Sequence, residues 1–174
     1  MTPAPEFSRP VRLDTLGGAP FSVEVEADEA ERAALAVRFR LHAIDRLEAR
    51  VALTRAGDLV TAEGTLRAAV VQACVATGGD VPATIEEPFA LRFVPEATID
   101  ADEIELDEGA LDEIGYAGGS VDVGEAAAQT LALALDPFPR AANADEALRE
   151  AGVVTEEDVR PAPALAGLRD LLKG

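Results

Sequence analysis

Tryptophan is absent from this 174-residue chain, and aromatic residues make up only 4% of it. Its core must therefore be built from Ala, Val and Leu, and it has few of the Trp and Tyr anchors that dominate tight protein interfaces. A single cysteine, Cys74, excludes an internal disulfide and fits a reducing compartment. With one histidine, His42, and no second cysteine, a structural zinc site is excluded. Lysine occurs once, as Lys173, so arginine supplies nearly all the positive charge. No run approaches the roughly 18 apolar residues of a membrane helix. The opening MTPAPEFSRPVRLDTL has no cationic start followed by an apolar stretch, so no secretory signal is expected and a cytoplasmic protein is.

Negative charge is what the chain has in abundance. There are 33 acidic residues against 15 basic ones, a formal net charge of -18. Phosphate backbones need a cationic footprint, so this balance argues against wrapping nucleic acid directly. It suits a soluble protein with cationic partners, although acidity also serves solubility alone. The hydrophobic fraction of 48% is enough for a core. The length fits one α+β core domain over residues 7–140 and a C-terminal tail over 141–174 with short helices.

The hydrophobic pattern predicts the elements. Phe7 to Leu16 reads as a strand, and Phe21, Val23 and Val25 alternate with polar residues as a half-buried one. Asp28, with Glu31 three residues later, marks a capping box, and Leu35 and Phe39 give the following helix its apolar face. From Ile44 to Phe93 the period is two, broken by turns at Ala56-Gly57-Asp58 and Gly78-Gly79. Leu59 to Ala73 reads as one long strand or two joined at Gly64. Connections this short imply an antiparallel meander, strongly curved or barrel-like, with two main helices packed on it.

Glu96 to Glu113 is densely acidic, and no Lys or Arg occurs between Phe93 and Pro139. An extended, solvated loop or a frayed edge strand is expected there. Asp122, with Glu125 three residues on, begins a second, very apolar helix that Pro137 and Pro139 stop. A short helix is expected at Asp145 to Glu150. In the tail, Leu165, Leu168, Leu171 and Leu172 have amphipathic spacing, in a segment too short to hold a helix alone.

Catalytic and metal chemistry find little footing. His42, at a helix end, reads as a surface or cap residue, and Cys74 as a small buried hydrophobe. Counting from Asp100, the sixth position is Glu105 where a calcium loop needs Gly, so the acidic run is not an EF-hand. Carboxylates for glycoside cleavage would need an aromatic-lined cleft, and only Tyr116 and six Phe exist. The paired glycines lack the order of a phosphate loop and read as turns. No catalytic, cofactor-binding or metal-binding residue is assigned, and no cofactor is expected.

Four stretches in order resemble the YceD family, the large ribosomal RNA subunit accumulation proteins. They are VVQACVATGGDVPATIEEPFALRF with Cys74, Phe89, Leu91 and Phe93; the acidic IDADEIELDEG; the Asp-led helix SVDVGEAAAQTLALALDPFPR; and the tail APALAGLRDLLK. The resemblance covers roughly residues 7 to 173. Many members carry a second cysteine completing C-x-x-C, and some another near the position of Arg140. This chain has Thr77 and Arg140-Ala141 there, which puts any metal or redox role of those cysteines in doubt for it.

The resemblance implies a non-catalytic bacterial factor supporting accumulation of large-subunit ribosomal RNA. The charge then favours protein contact, with a ribosomal protein or an assembly intermediate as partner and RNA touched indirectly. The candidate contact residues are Asp100, Asp102, Glu103, Glu105, Asp107 and Glu108 in the acidic loop, which would steer a cationic partner. Leu168, Leu171 and Leu172 in the tail would dock in an apolar groove. The alternative is direct RNA binding through arginines around the first helix: Arg32, Arg38, Arg40 and Arg46. Against it, those arginines have Glu29, Glu31, Asp45 and Glu48 as near neighbours to pair with.

Overall fold

Elements form in the order that the sequence pattern predicts, and their pairing departs from it at the edge. A computed structural model describes residues 5–96 and 112–153. The strands are β1 (Pro10–Arg12), β2 (Phe21–Glu26), β3 (Ala43–Ala56), β4 (Leu59–Ala73), β5 (Asp80–Pro95), β6 (Asp112–Tyr116) and β7 (Ser120–Asp122). The helices are α1 (Glu29–Phe39), α2 (Val123–Ala134) and α3 (Ala144–Glu150). The main sheet has the order β2-β3-β4-β5-β6, and β1 with β7 forms a separate two-stranded ribbon.

The meander expectation holds for β2 through β5, whose three pairings are antiparallel. β6 instead lies parallel to β5, with Leu91 opposite Asp112 and Pro95 opposite Tyr116. A parallel neighbour needs a crossover of a dozen or so residues, and residues 96–111 between the two strands are long enough. Among the described residues the sheet does not close into a barrel, because β2 and β6 are its two edges with no ladder joining them. The predicted Phe7–Leu16 strand shrinks to three residues. After it, Leu16 N–H bonds back to the Leu13 carbonyl and the Thr15 hydroxyl to the Arg12 carbonyl, forming a 3-10 turn at Leu13–Thr15. Such local bonds compete with a ladder for the same backbone groups.

Period-two alternation sends one face of the sheet into the core. Leu47, Ala49, Val51 and Leu53 of β3, Val60, Ala62, Leu66, Ala68 and Val70 of β4, and Phe89, Leu91 and Phe93 of β5 are buried. Ile44 and Leu47 are both buried although three residues apart. A bulge between Ile44 and Arg46 absorbs the extra residue and restores the face. At Gly64 the strands β3 and β4 approach so closely that a Cβ would stand 1.9 Å from the Arg50 carbonyl oxygen. Only glycine lets β4 run unbroken there.

The two longer helices close over this face. Asp28 accepts from Glu31 N–H at 2.9 Å while Glu31 accepts from Asp28 N–H at 2.8 Å, the capping box expected for α1. Leu35 and Ala36 of α1 join one hydrophobic cluster with Val123, Ala126, Ala127 and Leu131 of α2. Asp122 caps α2, accepting from Glu125 N–H at 3.1 Å. The same carboxylate takes the Arg9 N–H at 2.8 Å and the Ser8 hydroxyl at 2.6 Å, which pins the N-terminal segment against the helix. The opposite sheet face is wet, with Glu24–Arg50 and Arg67–Glu86 paired across strands. Among the described residues, no helix is long and apolar enough to cross a membrane.

Candidate functional site

The acidic and leucine residues expected to contact a partner lie outside the described residues. These are Asp100, Asp102, Glu103, Glu105, Asp107 and Glu108, and Leu168, Leu171 and Leu172. Their neighbours Asp112 and Glu113 are described, and they form the start of the edge strand β6.

The alternative arginine set is described, and most of it is engaged. Arg38 reaches across to α2, donating to both oxygens of Glu125 at 2.9 and 2.8 Å and to Glu6 at 2.9 Å. These bonds, led by the one to Glu125, raise its pKa further above its already basic value. Arg46 pairs with Glu48, whose carboxyl that bond lowers. Arg32 donates to the Ala27 carbonyl. Arg40 takes the left-handed conformation that ends α1, its N–H bonding back to Ala36 and Val37, and its side chain is exposed. Pairing was expected from helix neighbours, but apart from Glu48 the partners come from elsewhere. Glu31 is held by Arg9 at 2.7 and 2.8 Å, a bidentate pair that lowers its carboxyl, and Glu24 by Arg50. Spacing along one helix could not reveal Glu6 or Glu125, which are far away in sequence.

Cys74 is buried just past the end of β4. Its Sγ accepts the Ala141 N–H at 3.3 Å, bringing together the two regions that flank the β5–α2 half of the fold. Val75 N–H bonds the Pro139 carbonyl beside it. The Ala141 N–H and then the Thr77 hydroxyl favour the thiolate and outweigh burial, lowering the Cys74 pKa to about 7. Positions 74, 77 and 141 therefore converge on one corner, which sequence separation hid. His42 is engaged elsewhere, its Nδ1 lying 2.6 Å from Asp80. Among the described residues no three His, Cys, Asp or Glu side chains converge as a metal site requires.

A groove of about 580 Å³ opens between α2 and the β5–β6 edge. Pro88, Ala90 and Leu91 line it from β5, Ile114 from β6, and Gln129, Thr130, Leu133 and Ala134 from α2. Glu87, Asp112 and Glu113 complete its lining, which among the described residues includes no Lys or Arg. Nothing in the residue pattern singled this groove out. A signal was present, because β6 and α2 both fall in the stretch without Lys or Arg.

Among protein families, a model described as the large ribosomal RNA subunit accumulation protein YceD matches residues 62–172, well over half of the chain. The match runs from near the start of β4 through α2 and α3 and beyond. No curated protein and no solved structure matches the chain.

Proposed function

The chain belongs to the YceD family, the large ribosomal RNA subunit accumulation proteins, and from that membership we propose that it supports accumulation of large-subunit ribosomal RNA by binding rather than by catalysis. Its partner on this reading is a basic ribosomal protein or the basic face of an assembly intermediate, and RNA is touched indirectly.

One observation carries the reading. On a chain of formal net charge -18, two of the four arginines that might have formed an RNA patch, Arg38 and Arg46, are bound to the chain's own carboxylates. Interleaved pairs cancel their far field, so the long-range potential is set by the acidic excess. That potential repels phosphate and attracts cationic protein. The test is purification of the tagged chain with its partners before and after nuclease. Partners that persist after nuclease and leave at raised salt support the reading, and partners lost with the RNA refute it.

A second reading, direct RNA binding, has one feature in its favour. Arg40 is exposed, and among the described residues no carboxylate lies within 4 Å of it or of Arg32. Gel shift with ribosomal RNA fragments separates the two. If RNA is contacted here, Arg40→Gln weakens binding while the chain stays folded. If protein binding is the mode, wild type and variant alike show no specific shift.

A further inference from the structure

α2 presents two faces. Val123, Ala127 and Leu131 enter the core, while Gln129 with Leu133 and Thr130 with Ala134, each four residues apart, line the groove. The Thr130 hydroxyl is used inward, bonding the Ala126 carbonyl at 3.0 Å. Leu133 is 80% exposed and lines the groove together with Leu91 and Ile114. Leaving such a leucine in water forgoes burial that an occupant would recover.

The edge of the groove limits how it is filled. β6 pairs with β5 only from Leu91 to Pro95, so among the described residues no strand neighbours that side of β5 below Leu91. Pro82 and Pro88 on this strand supply no N–H, which disfavours an added strand. An occupant is therefore held by side chains. Charge selects its type. Glu87, Asp112 and Glu113 line the groove, and among the described residues only Glu113 has a cation beside it, Arg92 at 3.3 Å. A cleft lined by one sign of charge focuses its field. Phosphate is repelled by it, and so is a second copy of this acidic chain.

We propose that this groove is the docking site for a protein segment in which an apolar side chain, seated against Leu133, Leu91 and Ile114, is flanked by lysine or arginine facing Glu87 and Asp112. The assignment rests on the reading that the partner is a basic protein, and it adds where and by what pattern that partner is held.

The test uses the full chain and, as probe, the RNA-free total protein of large ribosomal subunits. A benzoylphenylalanine in place of Leu133 should photo-crosslink to Lys- or Arg-flanked apolar segments of a subunit protein, identified by mass spectrometry. Leu133→Ser and Glu87→Gln should each weaken binding of that identified protein roughly tenfold, as expected for a residue central to an interface. Val37→Ser, equally exposed at 80% on α1, should leave it unchanged. Binding by wild type and variants alike overturns the groove and leaves the basic-partner reading standing. Failure of wild type to bind any subunit protein overturns both. Crosslinks within the chain or to a second copy of it assign the groove another occupant and overturn the proposal.

Discussion

Replacing Gly64 with alanine should be among the most damaging single changes in the sheet. A Cβ there would stand 1.9 Å from the Arg50 carbonyl oxygen and 2.8 Å from the Val51 Cα, where ordinary contact begins near 3.4 Å. Neither neighbour is the end of a flexible side chain, so β3 and β4 must part by about 1.5 Å. A ladder hydrogen bond of about 2.9 Å does not survive that stretch. Losing two such bonds costs about 1 kcal/mol each. Loosened packing around Val51 and Leu66 adds about 1–2 kcal/mol at 25 cal/mol per Å² of apolar surface. A total of about 3–4 kcal/mol is a large share of the roughly 5–15 kcal/mol that stabilises a typical domain. Because the chain has no tryptophan, urea unfolding is best followed by far-ultraviolet circular dichroism. Gly17→Ala is the control, since a Cβ there meets nothing within 4 Å, and it should fall within about 0.5 kcal/mol of wild type. A Gly64→Ala protein as stable as the Gly17→Ala control would refute the strand geometry.

Other perturbations test the capping and the cysteine corner. Asp122→Ala should cost about 2 kcal/mol or more in the same unfolding assay, against about 1 kcal/mol for Asp28→Ala. Asp122 holds Ser8 and Arg9 as well as the helix start, whereas Asp28 holds only its own capping box, so the reverse order would contradict the network. Thiolate ultraviolet absorbance should titrate Cys74 with a midpoint of about 7, and a midpoint near its ordinary 9.0 would show that the Ala141 and Thr77 contacts do not form. The native pKa lies below the unfolded one, so the thiolate's contribution to stability is complete above pH 9.0 and disappears as pH falls through about 7. Stability should therefore rise over that window in the wild type and rise less in Cys74→Ala.

Much of this was legible in the residues because it is local. Asp28 with Glu31, and Asp122 with Glu125, announce helix starts through contacts three residues apart. The alternation from Leu47 to Phe93 fixes which face of β3, β4 and β5 is buried, and the short turns at Gly57 and Gly78 force antiparallel pairing. The spacing of Ile44 and Leu47 also contained the bulge. Choices between distant partners were not legible. Nothing near Asp112 says that it lies parallel beside Leu91, and nothing near Arg38 names Glu6 or Glu125. The contact from Ala141 to Cys74 and the groove under Leu133 exist only once α2 and the segment after it have folded back across β4 and β5. A helix pattern shows that Leu133 lies off the core stripe, but not what it faces.

The central claim is that an acidic chain of this family works through a basic protein and reaches RNA indirectly. Purification of the tagged full-length chain, with and without nuclease, at about 50 mM and about 500 mM salt tests it most directly. The account predicts a large-subunit protein that remains after nuclease at low salt and is lost at high salt. Partners that vanish with nuclease at low salt would contradict it.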